Sequence, residues 1–404
     1  MPYAHRPIHD ADAHFVETHD WFHAFADPSV RAKLPKSVIS GVKPGEGDLI
    51  ERLRRRHQDP AYRSRDEQEL LLRKNWAATG SFLKEDRPQA LDLLGFASQL
   101  VFNTFVNGRL LAAERGNDID FAYGFARAHN RSMIDFCSVD SRLLATCYVP
   151  LRDFERASAM AHENLALGAS ALLVASGCPR GHSPSHVALD PVWAQARDAG
   201  IPIVFHVGGG HRLADGLLLD PDYFANGGPK VQDFHGGDEN FRSVDYMAIP
   251  TSPMQTLATL IFDGVLERFP DLRFGVIEQG ASWVPSWMRF MDSAFEAFRK
   301  REERLQRLSL RPSEYVRRQI RVTPYPAEDV GWIIEQSGDE VCLFSSDYPH
   351  VEGGRAPIQR FERSLASRSE PQKQRFYFDN FVDLMGRGLP AGIPRRAEAT
   401  AATA

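Results

Sequence analysis

Short apolar runs alternate with stretches of helical period over most of this chain, and that alternation does most to restrict its fold. Residues 143–150 are apolar, 153–167 carry the helical period, and 169–175 are apolar again. A second cycle follows directly. Asp190-Pro191 opens a helix that runs to Ala199, Gly200 ends it, and residues 201–207 are the next strand, in keeping with cap chemistry at each end. The cycle resumes with a helix over 253–269, a strand over 272–277, a helix over 284–299 and a strand at 320–323. A helix beginning near Ala327, a strand over 341–344 and a helix beginning near Pro357 complete it. Strands separated by helices pair in parallel, in a sheet that helices cover on the outside. With 404 residues, the length suits a single (β/α)8 TIM barrel carrying insertions.

Three regions interrupt the cycle. Residues 18–94 are charged and largely helical in period, too long for a loop and too polar for a barrel stave, and are expected to form an inserted helical subdomain or lid. Residues 208–250 hold Gly208-Gly209-Gly210, Gly227-Gly228 and Gly236-Gly237, the composition of a long loop over the barrel mouth that gates substrate entry. Residues 372–385 predict a terminal helix on the exterior. One domain is thus expected over 1–388, followed by a disordered tail over 389–404, which is Ala, Pro, Gly and Arg without periodicity.

Composition narrows the class. Hydrophobic residues at 43% and charged residues at 25% are the proportions of a soluble globular protein. A net charge of -5 gives no general attraction to nucleic acid or to an anionic membrane. The densest basic patch, Arg52, Arg54, Arg55 and Arg56, sits among acids and reads as a solvated helix face. Cys137, Cys147, Cys178 and Cys342 are widely spaced with no Cys-x-x-Cys pair, so reduced thiols are expected. Residues 1–6 have no apolar core of signal-peptide length, and a cytoplasmic protein is expected.

The chemistry is expected at strand ends. Residues 341–350 read Val-Cys-Leu-Phe-Ser-Ser-Asp-Tyr-Pro-His, an apolar strand that delivers Asp347 where a loop must start, the carboxyl end at which a parallel barrel keeps its active groups. Asp12 and His14 flank Ala13 in another apolar stretch, so alternation points both side chains to one side. His206 closes the run Ile203-Val204-Phe205-His206. Together Asp12, His14, His206 and Asp347 offer a mixed nitrogen and oxygen shell for one divalent metal, which suits zinc and also accepts manganese or iron. His350 and His211 are candidates for substrate contact, ahead of His182, His186 and His235 in longer polar loops. Trp193, Phe224, Trp283 and Trp287 near strand ends are candidates to line an apolar pocket. His19 and His23 lack the Glu of a zinc-protease helix, and the triple glycine has no following Lys-Ser or Lys-Thr, so neither a zincin nor a phosphate loop is indicated.

These residues resemble the amidohydrolase superfamily, in its amidohydrolase-related branch, which holds metal-dependent hydrolases and the aminocarboxymuconate-semialdehyde and hydroxybenzoate decarboxylases. The similarity runs from Asp10-Ala11-Asp12-Ala13-His14 through Asp190-Pro191-Val192-Trp193, Phe205-His206-Val207-Gly208-Gly209 and Trp283-Val284-Pro285 to Ser345-Ser346-Asp347-Tyr348-Pro349-His350. The resemblance implies one metal held by Asp12, His14, His206 and Asp347, with Asp347 exchanging a proton with water or substrate. No lysine stands where a carbamylated bridge would form, so a mononuclear site is implied. The resembled decarboxylases place a catalytic histidine at the end of the sixth strand, where this chain has Glu278. A carboxylate there acts as a base, a ligand or a loop anchor. The reading that follows is a metal-dependent hydrolase of a small cyclic or carboxylated compound, with Asp347 as general base. The alternatives are a nonoxidative decarboxylase using the same metal site, and an inactive metal-binding or assembly protein. Related barrels imply a homodimer.

Overall fold

The computed structural model describes residues 6–18, 21–34, 47–208, 227–228 and 243–395. Among the described residues seven parallel strands form one sheet whose spatial order is their order in the chain. They are β1 His9–Phe15, β2 Ser98–Asn103, β3 Leu143–Tyr148, β4 Ala171–Leu173, β5 Ile203–His206, β6 Phe274–Ile277 and β7 Ile320–Val322. Every residue of every strand is buried, as a parallel sheet covered on both faces requires.

Residues 341–348 lie between the two edges of this sheet. On one side Val322 N–H donates to Val341 O at 2.8 Å and Leu343 N–H to Val322 O at 3.1 Å. On the other, Ala11 N–H donates to Phe344 O at 3.0 Å, Asp347 N–H to Asp12 O at 2.9 Å and His14 N–H to Tyr348 O at 2.7 Å. The segment expected as a strand over 341–344 therefore bonds β7 to β1, although only isolated bridges form at Ala13–Tyr348 and Val322–Cys342.

The helices expected over 153–167 and 190–199 are Phe154–Leu167 and Asp190–Ala199. Asp153 caps the first through Arg156 N–H, and Gly168 and Gly200 end the two in left-handed backbone. Val284–Phe298 and Pro357–Ser364 also lie where the periodicity places them. Three expectations are corrected. The helix expected over 253–269 is two, Thr251–Phe262 and Val265–Arg268, divided at Gly264 with φ 75°. The helix expected from Ala327 is Val330–Ser337, because Asp329 caps it through Trp332 N–H and leaves 327–329 in a turn. The terminal helix expected over 372–385 is α-helical at Glu370–Gln374 and Asn380–Met385, with a π-helical stretch at Arg375–Asp379 between them.

Between β1 and β2 the chain forms short helices, including Gly47–Gln58 and Arg87–Leu94. This part meets the loop after Asp347 directly: Asn75 N–H donates to Pro349 O at 3.0 Å and Tyr348 Oη to Thr79 O at 2.8 Å. Most of the glycine-rich segment 208–250 lies outside the described residues, as do His19, His211, Phe224 and His235. Near the end of the chain Leu389 and Ile393 are buried and Pro394 O meets His9 Nε2 at 3.1 Å, while 396–404 lie outside the described residues. Among the described residues no helix is long and apolar enough to cross a membrane.

Candidate metal centre

The strand register of β1 is broken once, and the break falls at the site. Asp10 pairs with Gln99 and Ala13 with Val101, so β1 carries one residue more than β2 across this interval. A bulge of this kind re-aims side chains. Here the outcome is a His14 Nε2 only 3.2 Å from Asp12 Oδ1, both buried.

The other strand ends bring their groups to the same place. His206, the last residue of β5, sets Nε2 3.4 Å from Asp12 Oδ1. Asp347 Oδ1 lies 3.4 Å from His14 Nε2. Glu278, one residue past β6, sets Oε2 3.1 Å from His206 Nε2 and 3.7 Å from His14 Nε2. Ligands about 2.0–2.2 Å from one ion stand roughly 3.0–3.6 Å from one another. All of these separations but the 3.7 Å between Glu278 and His14 fall within that spacing.

Asp12 Oδ1, His14 Nε2, His206 Nε2 and Asp347 Oδ1 are all buried, and among the described residues none has a well-aligned hydrogen bond, each instead facing an ionisable neighbour at 2.9–3.2 Å. Buried polar atoms are rarely left so, because each loses its hydration without replacement. Asp12, His14, His206 and Glu278 form one group of facing donors, and Asp347 adjoins it through His14 and Glu278, a set whose polar atoms a cation would satisfy. The far nitrogens of the two rings are accounted for: His14 Nδ1 donates to Asn103 O at 2.8 Å and His206 Nδ1 to Val207 O at 3.0 Å. A carbonyl accepts only, so each Nδ1 keeps its proton and each Nε2 is turned to the cluster, the outer-shell arrangement that orients metal-ligating histidines. Three carboxylates and two imidazoles form a donor set that suits manganese, zinc or iron.

With five ionisable groups crowded together, protonation is displaced from the ordinary values. Burial and the neighbouring Asp347 push Glu278 up to about 8. Burial and the Asp12 charge push Asp347 well above the carboxylate range. Burial would raise Asp12 as well, but the His14 and His206 charges outweigh it and hold that carboxyl low. Burial and the His350 charge push His14 down to about 3. For His206 burial acts downward, yet Asp12 and Glu278 together push it up to about 10. Without a cation the cluster is therefore one that holds protons in common.

His350 belongs to this group more closely than a substrate contact would. Its ring stacks on that of His14 with centroids 3.8 Å apart, and its Nδ1 lies 2.9 Å from Asp347 Oδ1. Trp283 sits at the loop after β6, its indole N–H donating to Gly280 O at 2.8 Å, against Trp287. Trp193 is not brought to the site. It is buried on helix Asp190–Ala199 and faces Phe274, the first residue of β6, with ring centroids 6.4 Å apart. Glu278 stands four residues further along, about 13 Å up the strand. His182 and His186 pack on Phe154 instead. His211 lies outside the described residues.

Two acidic residues with no assigned part in the sequence reading build the surroundings. Asp10 Oδ1 accepts from Ser346 N–H at 2.7 Å and Asp12 N–H at 3.3 Å, and its Oδ2 accepts from Ser346 Oγ at 2.6 Å and Gln99 Nε2 at 2.8 Å. It thus ties the strand of Asp12 to the residue before Asp347. Glu17 accepts from the N–H groups of Thr104, Phe105 and Val106 at 3.1, 3.1 and 3.3 Å, and burial pushes its carboxyl up to about 7. The turn it holds presents Thr104 Oγ1 to His350 Nε2 at 3.0 Å. For Asp10 the signal was its place in the same apolar run as Asp12; Glu17 had none, because backbone amides leave no motif.

Comparison with known proteins agrees with this geometry. A family model described as Amidohydrolase matches residues 10–380. The chain belongs to the amidohydrolase family. That family is one of enzymes. An amidohydrolase from Mycobacterium avium subsp. paratuberculosis shares the fold with TM-score 0.70 at 24% identity, over 95% of this chain and 100% of that one. A 5-carboxyvanillate decarboxylase from Novosphingobium aromaticivorans, crystallised with manganese, is similar with TM-score 0.63 at 17% identity, over 95% and 97%. A 2,6-dihydroxybenzoate decarboxylase from Rhizobium gives TM-score 0.60 at 15% identity, over 94% and 98%. No curated protein matches the sequence.

Proposed function

We propose that this amidohydrolase is a (β/α)8 barrel enzyme, with residues 341–348 as its eighth stave, that hydrolyses a small cyclic or carboxylated compound with one divalent metal. The convergence of buried donors that lack a well-aligned hydrogen bond among the described residues, Asp12 Oδ1, His14 Nε2, His206 Nε2 and Asp347 Oδ1, carries the reading. These residues hold the metal, zinc or manganese. When bound, such an ion supplies Lewis acidity at the substrate carbonyl and acidifies water.

The chain's own groups move the protons. Asp347 takes one from the attacking water, with His350 2.9 Å away to share it. The oxygen of that water bonds to the carbonyl carbon, the bond to the leaving nitrogen or oxygen breaks, and the proton passes to the leaving atom. Glu278 adjoins Asp347, with its Oε2 3.1 Å from His206 Nε2, as a further donor to the ion and a second proton carrier. Burial pushes Glu278 up to about 8 and Asp347 well above the ordinary carboxylate range, the direction that suits a carboxyl to carrying a proton. Three carboxylates in a buried space also disfavour a further anion at the reacting centre, which supports a neutral carbonyl as the group attacked.

A second reading is favoured by the similar structures, several of which are decarboxylases of aromatic acids. In it a proton from Asp347 or Glu278 replaces carbon dioxide on the substrate. Protein loaded with manganese or zinc, given lactones, amides and aromatic acids in H2(18)O, separates the two. Label in the product marks hydrolysis; carbon dioxide with unlabelled product marks the lyase. Asp347→Asn and His206→Ala are expected to lose most of the metal measured by mass spectrometry. A folded wild type that takes up no metal would mean a binding or assembly protein.

A further inference from the structure

Glu278 sits in backbone that a side chain with a Cβ rarely adopts, at φ 53°. Such a conformation persists where its surroundings over-determine it. Those surroundings come from the loop after β7. Glu278 N–H donates to Thr323 Oγ1 at 2.8 Å, and Glu278 O accepts from Tyr325 Oη at 2.9 Å. Two residues on, Gly280 has φ 66°, and the Tyr325 ring lies 2.8 Å from where a Cβ would stand. The Glu328 carboxylate then closes the turn. It accepts from Ala281 N–H at 2.9 and 3.1 Å and from Ser282 N–H at 2.7 Å, while its own loop is fastened to it by Tyr325 N–H at 2.7 Å.

One carboxylate thus joins the loop after β6 to the loop after β7, and the tyrosine it fixes grips the carbonyl of Glu278. We infer that Glu328, through Tyr325 and the turn 278–282, is a positioning residue that aims the Glu278 carboxylate at the His14–His206 pair; the inference rests on the metal-centre reading above. The competing account is a plain staple. Ala281 and Ser282 precede helix Val284–Phe298, and a carboxylate beside a helix N-terminus stabilises it without regard to any active site.

Co2+ binding separates the two, followed by titration calorimetry and by the visible absorption of the bound ion, which reports its ligand number and geometry. Glu328→Gln sets an amide NH2 against backbone N–H groups, and Tyr325→Phe removes one hydroxyl. Each is expected to weaken Co2+ binding about 10-fold and to alter the absorption band. In a Glu278→Gln background the same changes should shift affinity by less than about twofold, because the group being aimed is gone. A staple would lower the melting temperature and leave Co2+ affinity and spectrum as in the wild type. Folded Glu328→Gln and Tyr325→Phe proteins with wild-type binding, beside a weakened Glu278→Gln, overturn the positioning role and leave the metal centre standing. Equal losses with and without Glu278 overturn it as well. If Glu328→Gln does not fold, Tyr325→Phe decides alone. A wild type that binds no Co2+ removes the metal centre and this inference together.

Discussion

Asp10 touches none of the facing donor atoms, yet it determines where two of them stand. Its two oxygens receive four donors, from Asp12, from Gln99 and twice from Ser346. In Asp10→Asn an NH2 group must face one of those donors, leaving a buried polar pair unmatched at a cost of about 1–3 kcal/mol. Because Asp12 and Ser346-Asp347 move with it, metal affinity is expected to fall about 10–100-fold. Unfolding midpoints and metal titrations on the same sample check both. Lost stability with unchanged affinity would make Asp10 an anchor of the barrel closure alone. Single residues also mark the limit of sequence reading. Asp12, His14, His206 and Asp347 were legible because polar side chains ending apolar strands need a reason to be there. Trp193 misled because a tryptophan beside a strand pattern looks the same in sequence whether it lines a mouth or, as here, fills the layer beneath the helices. Glu328 was silent because its partners are peptide N–H groups, which every sequence supplies.

At the level of elements, periodicity recovered the repeating strands and helices but not their interruptions. The bulge in β1 and the π-helical stretch at Arg375–Asp379 depend on what packs against them, not on local pattern. The strand expected over 341–344 behaves as a connector, bonded on both sides yet too irregular for a regular ladder. Its delivery of Asp347 relies on the returning loop, where Gly353 passes so close that a Cβ would lie 2.1 Å from Ser346 O and 3.2 Å from Asp347 Cβ. A backbone oxygen has little room to retreat. Gly353→Ala is therefore expected to destabilise the protein by about 1–3 kcal/mol and, in the fraction that folds, to weaken metal binding through Asp347. Thermal unfolding with and without added Mn2+ checks this: a variant as stable as the wild type, with the same metal-induced gain, would show that the loop repacks freely.

Across the whole molecule, the centre exists only when the segment 341–348 meets β1, since Asp10 and Ser346 are hydrogen-bonded across 336 residues of chain. Metal binding therefore reports on the whole sheet, and any ion that binds the folded state alone stabilises all of it, by about 2.7 kcal/mol at a hundredfold excess over its dissociation constant. The protons held by the cluster fix the pH dependence. Glu278 is pushed up to about 8, His206 to about 10, and Asp347 well above the usual range, so near neutral pH the metal-free cluster carries protons on groups that a cation needs bare. Binding must expel them. Acid favours the protonated, metal-free form, so affinity is expected to fall as pH is lowered from 8 to 6; it should rise above neutrality and flatten once these groups lose their protons without help. Calorimetric titration of Mn2+ at pH 7 in two buffers of different ionisation heat measures the release directly, with about one proton or more per ion expected. Equal heats in the two buffers, or an affinity independent of pH over that range, would mean that the carboxylates are already ionised in the metal-free protein and that the cluster does not hold protons in common.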